Sequence, residues 1–229
     1  MFAAILFCCA GASVAQKAVL FDRVEIPDAA QVAVVAPASR MRVARATLET
    51  EILNEINALR RDPASYAARL AEYKRYFVGK ELRLPDQTAI LTDEGAAALD
   101  EAIAVLKQTK PAQNFVDDEN LTRAAFDHAR DIAITGKIGH YDSRGASPAE
   151  RVARYGVWRG EMHELVSQYS ATARQIVFNL IVDDGVKSRG HRRALLKSNL
   201  RVAGIKTGDS RALGKLCVIV LAESFFKKS

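Results

Sequence analysis

The spacing of apolar residues changes along this chain, and that change limits the possible folds. From residue 47 onward the apolar residues recur every three or four positions, as on one face of a helix. The first such face consists of Leu48, Ile52, Ile56 and Leu59. Near the end they instead form two runs rich in β-branched side chains, residues 202–205 and 216–221. Many helices followed by a few late strands predict an α+β domain of packed layers and exclude alternating βαβ units.

Capping signals predict where the helices begin and end. Ser147-Pro148-Ala149-Glu150 is a capping box with proline at the first helical position, and Gly136 is a typical C-terminal stop. Gly208 and Gly214 separate the two late runs, which suggests a terminal hairpin. Helices are predicted from Thr47 to the break at Asp62-Pro63, from Pro63 through Phe77, from a cap at Thr92 or Asp93 through Leu106, from about Glu119 to Thr135, from Pro148 to Gly156, and from Ala171 to about Asp183.

The first fifteen residues are apolar throughout and end in small residues. Ser13 and Ala15 occupy the −3 and −1 positions of a signal-peptidase site, so we expect residues 1–15 to be a signal peptide. The run is too short to cross a hydrocarbon core of ~30 Å as a helix. A lipoprotein anchor at Cys8 or Cys9 is disfavoured because Phe7 is bulky where a small residue is expected. The chain is therefore expected to be secreted, extracellular or periplasmic, with no transmembrane helix after cleavage.

Residues 16–45 are rich in alanine and valine and show no sustained period, which predicts a linker or N-terminal arm. Residues 46–229 then form the domain. Along the whole chain, lysines and arginines are dispersed among 27 acidic residues, and no basic run is interleaved with aromatics. Despite a net charge of +6, this excludes a dedicated nucleic-acid role. Signal cleavage leaves Cys217 alone in an apolar run, which is typical of a buried small hydrophobe.

The candidate site consists of histidines and nearby carboxylates. His140 and His191 each follow a glycine, which lets the backbone approach a ligand closely. Two imidazoles with one or two carboxylates suit zinc or a similar divalent ion, or general acid–base chemistry. His163-Glu164 does not continue as HExxH because the fifth position is Ser167, which excludes a zincin. The nearby carboxylates are Glu161, Glu164, Asp183 and Asp184. His128, within a predicted helix, is expected to be a packed structural histidine.

Several segments, in order over about residues 47–226, resemble one known family. They are Ile56–Arg60 with Asp62–Ala67, His128–Asp131 with Gly136 and Gly139-His140, Ser147–Arg151 with Tyr155-Gly156, and Asp183–Val186 with Ser188–Arg192. The chain resembles bacterial members of the CAP superfamily of cysteine-rich secretory, antigen 5 and pathogenesis-related 1 proteins. The resemblance implies an α-β-α sandwich, with helices packed on a small antiparallel sheet. We also expect the protein to be a monomer.

The resemblance also implies a concave site of two histidines and two acids that can take a divalent cation such as Zn²⁺. Carried over by position, these are His140, Glu164, Asp183 and His191. The family's Gly-Glu-Asn stretch reads His163-Glu164-Leu165 here, and the second acid is an aspartate rather than a glutamate. Glu161 and Asp184 are therefore second choices.

Three hypotheses about function follow. The first is a secreted binding module that takes a divalent cation and a lipid or cell-envelope component. The second is a metal-dependent, peptidase-like hydrolase using the same site. The third is a structural module that binds envelope polymers through its basic surface and whose site is vestigial. Whether the protein is an enzyme stays open, and no catalytic residue is assigned.

Overall fold

The computed structural model describes residues 46–85, 87–168 and 170–228. The predicted signal peptide and arm lie outside these residues. The helices are α1 Leu48–Arg61, α2 Pro63–Ala71, α3 Ala96–Gln108, α4 Glu119–Thr135, α5 Pro148–Ala153, α6 Ala173–Val182 and α7 Gly190–Leu196, with a 3₁₀ helix Glu72–Tyr76 after α2. The strands are β1 Phe77–Val78, β2 Glu81–Leu82, β3 Ile90–Leu91, β4 Val116–Asp117, β5 Gly156–Gln168, β6 Val202–Ser210 and β7 Gly214–Lys227.

The main sheet has the strand order β4-β6-β7-β5, so the long strand β5 lies at an edge. β7 pairs antiparallel with both β5 and β6, whereas the two-residue strand β4 pairs parallel with β6. The predicted antiparallel sheet is therefore confirmed for β5, β6 and β7, and β4 adds a two-residue strand parallel to β6 at one edge. β1, β2 and β3 form a separate small antiparallel sheet.

Alternate residues of β7 supply the cores on the two faces of the main sheet. Cys217, Ile219 and Leu221 belong to one core cluster, together with residues of α1, α3 and α6. Val218 and Val220 belong to the other cluster, which α4 covers. α4 approaches β6 so closely that a Cβ on Gly204 would collide with the backbone of Leu121. Helices on both faces of one sheet make the α-β-α sandwich, and the α+β class is confirmed.

Local signals located several elements correctly. The capping box is present, since Glu150 N donates to Ser147 Oγ at 3.3 Å and Ser147 N donates to Glu150 Oε2 at 2.7 Å. The terminal hairpin is confirmed as β6 and β7, which extend well beyond the two predicted runs. Cys217 is a buried free cysteine, as predicted, and burial raises the pKa of its thiol.

Other predicted boundaries are wrong for identifiable reasons. The second helix does not reach Phe77, because the chain tightens into a 3₁₀ turn and Phe77 then begins β1. Neither Thr92 nor Asp93 is the N-cap of α3. Gly95 is, with a positive φ of 64° that favours glycine. The helix predicted to reach Gly156 stops at Ala153, since Gly156 begins β5. Within the described residues, no helix is both long and apolar enough to cross a bilayer.

Candidate functional site

His140 lies on the loop between α4 and α5 and bonds to an acid of β5. Its Nδ1 donates to Glu164 Oε1 at 3.1 Å, so the carboxylate fixes which ring nitrogen carries the proton. The Glu164 side chain is 1% exposed, whereas the imidazole is 51% exposed. The bond to Glu164 raises the pKa of His140, and partial burial and the nearby Arg151 oppose that rise. A buried acid therefore holds a histidine that solvent can reach.

Two further side chains hold Glu164 and the loop that carries His140. The buried Arg151 donates from Nη2 to Glu164 Oε2 at 2.6 Å and to the His140 carbonyl at 2.9 Å. His128 Nε2 donates to the Gly139 carbonyl at 2.8 Å and lies 3.6 Å from Glu164 Oε1. The prediction that His128 is packed is confirmed, because it is 1% exposed. Sequence reasoning missed the role of Arg151. The sequence shows only that Arg151 directly follows the capping box, in the short helix α5.

His191 lies in the first turn of α7 and bonds to the residue that ends α6. Its Nδ1 donates to Asp183 Oδ1 at 2.7 Å. The other oxygen, Oδ2, accepts from the backbone N–H groups of His191 at 2.9 Å and Arg192 at 3.3 Å. Asp183 thereby caps α7, whose preceding residue Arg189 provides no side-chain cap. Asp183 also closes α6 in a left-handed conformation, φ 56°, and its side chain is 1% exposed. One carboxylate thus joins two helix ends and orients the imidazole.

Two arginines near His191 hold α7 in place. The buried Arg192 donates to the carbonyls of Ile181 at 2.7 Å and Val182 at 2.6 Å, which closes the end of α6. Arg189 donates from both terminal nitrogens to the two oxygens of Glu94, each at 2.7 Å. These bonds are charge-assisted, and the Glu94 contact is bidentate, so the position of His191 is fixed from both sides.

The two second-choice acids have other partners. Glu161 binds Lys197 at 2.6 Å and lies 3.1 Å from His163 Nε2. Asp184 accepts from the backbone N–H groups of Asp93 at 2.6 Å and Glu94 at 2.9 Å. Neither acid bonds to His140 or His191 in the described residues.

The donors do not converge on a metal ion. Zinc sites need three or four protein ligands pointing at one centre. Glu164 is occupied by Arg151 and His140, and Asp183 by His191 and two backbone N–H groups. Among residues 46–85, 87–168 and 170–228, no group of three or more histidine, cysteine, aspartate or glutamate side chains is arranged to hold a metal. The residues present therefore do not fit the expected divalent-cation centre in this arrangement.

A cleft of about 850 Å³ lies beside His191. Apolar side chains supply much of its wall, including Phe77, Leu82, Ile138, Val166, Phe178 and Leu180. Asp183, Asp184 and His191 also line it, whereas no lysine or arginine of the described residues does. His140 and Glu164 are not among the lining residues, although Ile138 belongs to the same loop as His140. Among the described residues that line this cleft, the His191–Asp183 pair is present and the His140–Glu164 pair is not.

Sequence comparison settles the family. The sequence profile of the cysteine-rich secretory protein family, CAP, matches residues 53–221. The chain belongs to this family. No curated protein matches the sequence.

Two solved structures similar to this family member come from bacteria. One is an outer surface protein from Borrelia burgdorferi, at 16% identity and a TM-score of 0.42, with 51% of this chain and 80% of that chain covered. Another is an extracellular protein containing an SCP domain from Bacillus anthracis str. Ames, at 15% identity and a TM-score of 0.41. That alignment covers 55% of this chain and 38% of the Bacillus chain, so this protein spans well under two thirds of its length.

Proposed function

We propose that this protein is a secreted binding module whose cleft takes a ligand with an apolar body and a neutral or cationic polar part. The observation that carries the proposal is the cleft of about 850 Å³ with the His191–Asp183 pair in its wall. Mostly apolar cavities with a few fixed polar groups are the usual form of small-ligand sites. Because the formally charged side chains that line it among the described residues are those of Asp183 and Asp184, an anionic ligand is poorly matched.

Binding is favoured over covalent catalysis by the partners of the histidines. A nucleophile activated by histidine lies within hydrogen-bond reach of the imidazole. In the described residues, His140 and His191 bond through their side chains to carboxylates and to no hydroxyl or thiol. Cys217 is fully buried in the core on the sheet. The site therefore has the features of a recognition surface.

Secretion is part of the proposal. It is supported by family membership and by the apolar first fifteen residues. A cell-envelope component of neutral or cationic chemistry is the ligand class that this location and the charges of the cleft favour together. A divalent cation stays a prediction, which calorimetry with Zn²⁺ on the wild type and a His140→Ala, His191→Ala double variant would decide.

The cleft can be tested with N-phenyl-1-naphthylamine, an uncharged apolar dye that fluoresces when it leaves water. Ala89 is exposed and lines the cleft, so Ala89→Trp should obstruct part of it and weaken dye binding by ~10-fold or more. Ala97 is exposed on α3 and does not line the cleft, so Ala97→Trp is the matched control and should bind as the wild type does. Equal binding by both variants would overturn the proposal.

A hydrolase is the second candidate, and the 2.7 Å bond between Asp183 and His191 favours it. An acid that holds Nδ1 leaves Nε2 as the ring nitrogen able to accept a proton from water. Screening against peptide and ester libraries tests this candidate. Turnover that persists unchanged in a His191→Ala variant would refute His191 as the base.

A further inference from the structure

The hydrogen bonds of the neighbouring strands determine which backbone groups of the edge strand β5 face away from the sheet. Val116 N donates to the Arg201 carbonyl at 2.9 Å and Asp118 N donates to the Ala203 carbonyl at 2.8 Å, so these two carbonyls face β4. In a sheet, successive residues turn their backbone groups to opposite sides. Val202 and Gly204 therefore face β7, where they pair with Ala222 and Val220.

The same alternation continues across β7 into β5. Since Ala222 and Val220 face β6, the residues between and beyond them, Leu221, Ile219 and Cys217, face β5. Their partners there are His163, Leu165 and Ser167. The intervening residues Glu164, Val166 and Gln168 therefore direct their backbone N–H and C=O groups away from the sheet, along its edge.

These outward groups lack partners beside the cleft. Within the described residues, no hydrogen bond reaches the outward N–H or C=O of Glu164 or Val166. At Gln168 the carbonyl accepts only a 3.2 Å bond from Ser170 Oγ. Residues Val166, Ser167 and Gln168 all line the cleft. An exposed row of unpaired backbone groups is a template for another strand.

Two buried side-chain atoms point to the same kind of ligand. Ser167 Oγ and Gln168 Oε1 are both buried and have no hydrogen-bond partner in the described part of the chain. A buried polar atom that is left unpaired destabilises the folded protein. Gln168 Oε1 can only accept, so it needs a donor such as an amide N–H. A lipid chain supplies no such donors along its length, whereas a peptide does.

We infer that the cleft binds an extended peptide segment, which adds as a strand along β5 from Glu164 to Gln168. Main-chain hydrogen bonds to the edge then provide affinity, and the apolar cleft accepts alternate side chains. Asp183 and Asp184 lie in a wall to which the described part of the chain contributes no lysine or arginine, and they favour a peptide that carries a basic residue. This inference rests on the proposed function and names the class of its ligand.

The test uses the full chain and fluorescein-labelled octapeptides of alternating valine and threonine that begin with lysine, glutamate or glutamine. Fluorescence anisotropy measures binding. The lysine peptide should bind more tightly than the glutamine peptide, and the glutamate peptide least. N-methylation of alternate amides on one side of the lysine peptide should weaken binding by ~10-fold or more, because one edge of a strand makes the bonds. Methylation of the other set should have little effect.

A backbone variant tests the same bonds from the protein side. Val166→Pro removes an outward N–H and no bond to β7, which an edge position tolerates. It should lose peptide binding, whereas Val166→Thr, which keeps the N–H, should retain it. Thermal melting shows whether each variant is folded. If Val166→Pro does not fold, the difference in wild-type binding between the two N-methylated lysine peptides tests the same bonds.

The outcomes separate this inference from the proposed function. Dye binding that Ala89→Trp abolishes, together with peptide displacement of the dye, supports both. Dye binding without any peptide binding overturns the peptide inference and leaves the proposed function standing. Displacement by monoacylglycerol vesicles but not by peptides also overturns it, in favour of a neutral lipid. Absence of both dye and peptide binding overturns both.

Discussion

The two histidine–acid pairs are built alike and held differently. In each, a buried carboxylate accepts from Nδ1 of the imidazole. Glu164 is held by ion pairing, because the buried Arg151 lies 2.6 Å from its second oxygen. Asp183 is held by backbone N–H groups at the start of α7. The first pair therefore depends on a partner charge, and the second on the meeting of two helix ends.

This difference decides what each histidine can do. His140 is half exposed on a loop and lies outside the cleft, so its environment changes with solvent and pH. His191 is 24% exposed and lines the cleft, and two helices fix its position. Groups held by rigid elements keep their geometry when a ligand binds. His191 is therefore the better anchor for a ligand, and His140 the better reporter of protonation.

The dependence of the first pair on charge predicts the largest effect. Arg151→Met leaves Glu164 buried without its partner, so the free energy of unfolding should fall by about 3–5 kcal/mol. Urea denaturation measures this loss. Arg154→Met is the matched control, since Arg154 is exposed and should cost under ~0.5 kcal/mol. Adding Glu164→Gln to Arg151→Met removes both charges and should restore much of the stability. Equal, small losses in both arginine variants would contradict the assignment of Arg151.

The second pair depends on capping, which predicts a smaller effect. Asp183→Ala removes the acceptor for two backbone N–H groups and places alanine in a left-handed conformation, so we expect a loss of about 2–3 kcal/mol. Asp183→Asn keeps a capping oxygen and tolerates the left-handed backbone, so it should cost less than about 1 kcal/mol. Thermal unfolding compares them. If asparagine is as damaging as alanine, the charge of Asp183 matters more than its capping.

Sequence reasoning found what depends on neighbours in the chain. The capping box, the stop of α4 at Gly136 and the positions of His140 and His191 follow from local residue types. The thirteen-residue strand β5 was missed, because an edge strand with a bulge near Gly160 carries polar residues that break a clean alternation. The pairing of Arg151 with Glu164 was missed for a different reason. It joins a helix to a strand, and no spacing in the sequence shows that contact.

The exposure of His140 predicts a modest dependence on pH. Its pKa is raised above the ordinary 6.5, chiefly by the bond to Glu164. The folded state therefore stabilises the protonated imidazole of His140 relative to the neutral one. Its contribution to stability is fully present below pH 6.5 and is lost as the pH rises through the folded pKa. Because the ring is half exposed, we expect under about 1 kcal/mol.

An NMR titration of the His140 ring measures this pKa directly. It should exceed 6.5 in the wild type and fall in Glu164→Gln. The stability difference between wild type and His140→Gln should shrink as the pH rises, whereas His163→Gln is a control outside this pair. A His140 resonance that titrates at or below 6.5 would contradict the role of Glu164.

The smallest effect is expected at Glu161, and it sharpens the choice between the two acids of β5. Glu161 pairs with Lys197 and lies near His163, and its side chain is 43% exposed. Exposed ion pairs contribute little to stability because water and salt screen them. Glu161→Gln should therefore leave the melting temperature and dye binding unchanged. The comparison variant is Glu164→Gln, which leaves Arg151 buried without its charged partner and should lower the melting temperature. If Glu161→Gln instead impaired dye binding as Ala89→Trp does, the bulge of β5 would belong to the ligand site, and the assignment of Glu164 over Glu161 would be wrong.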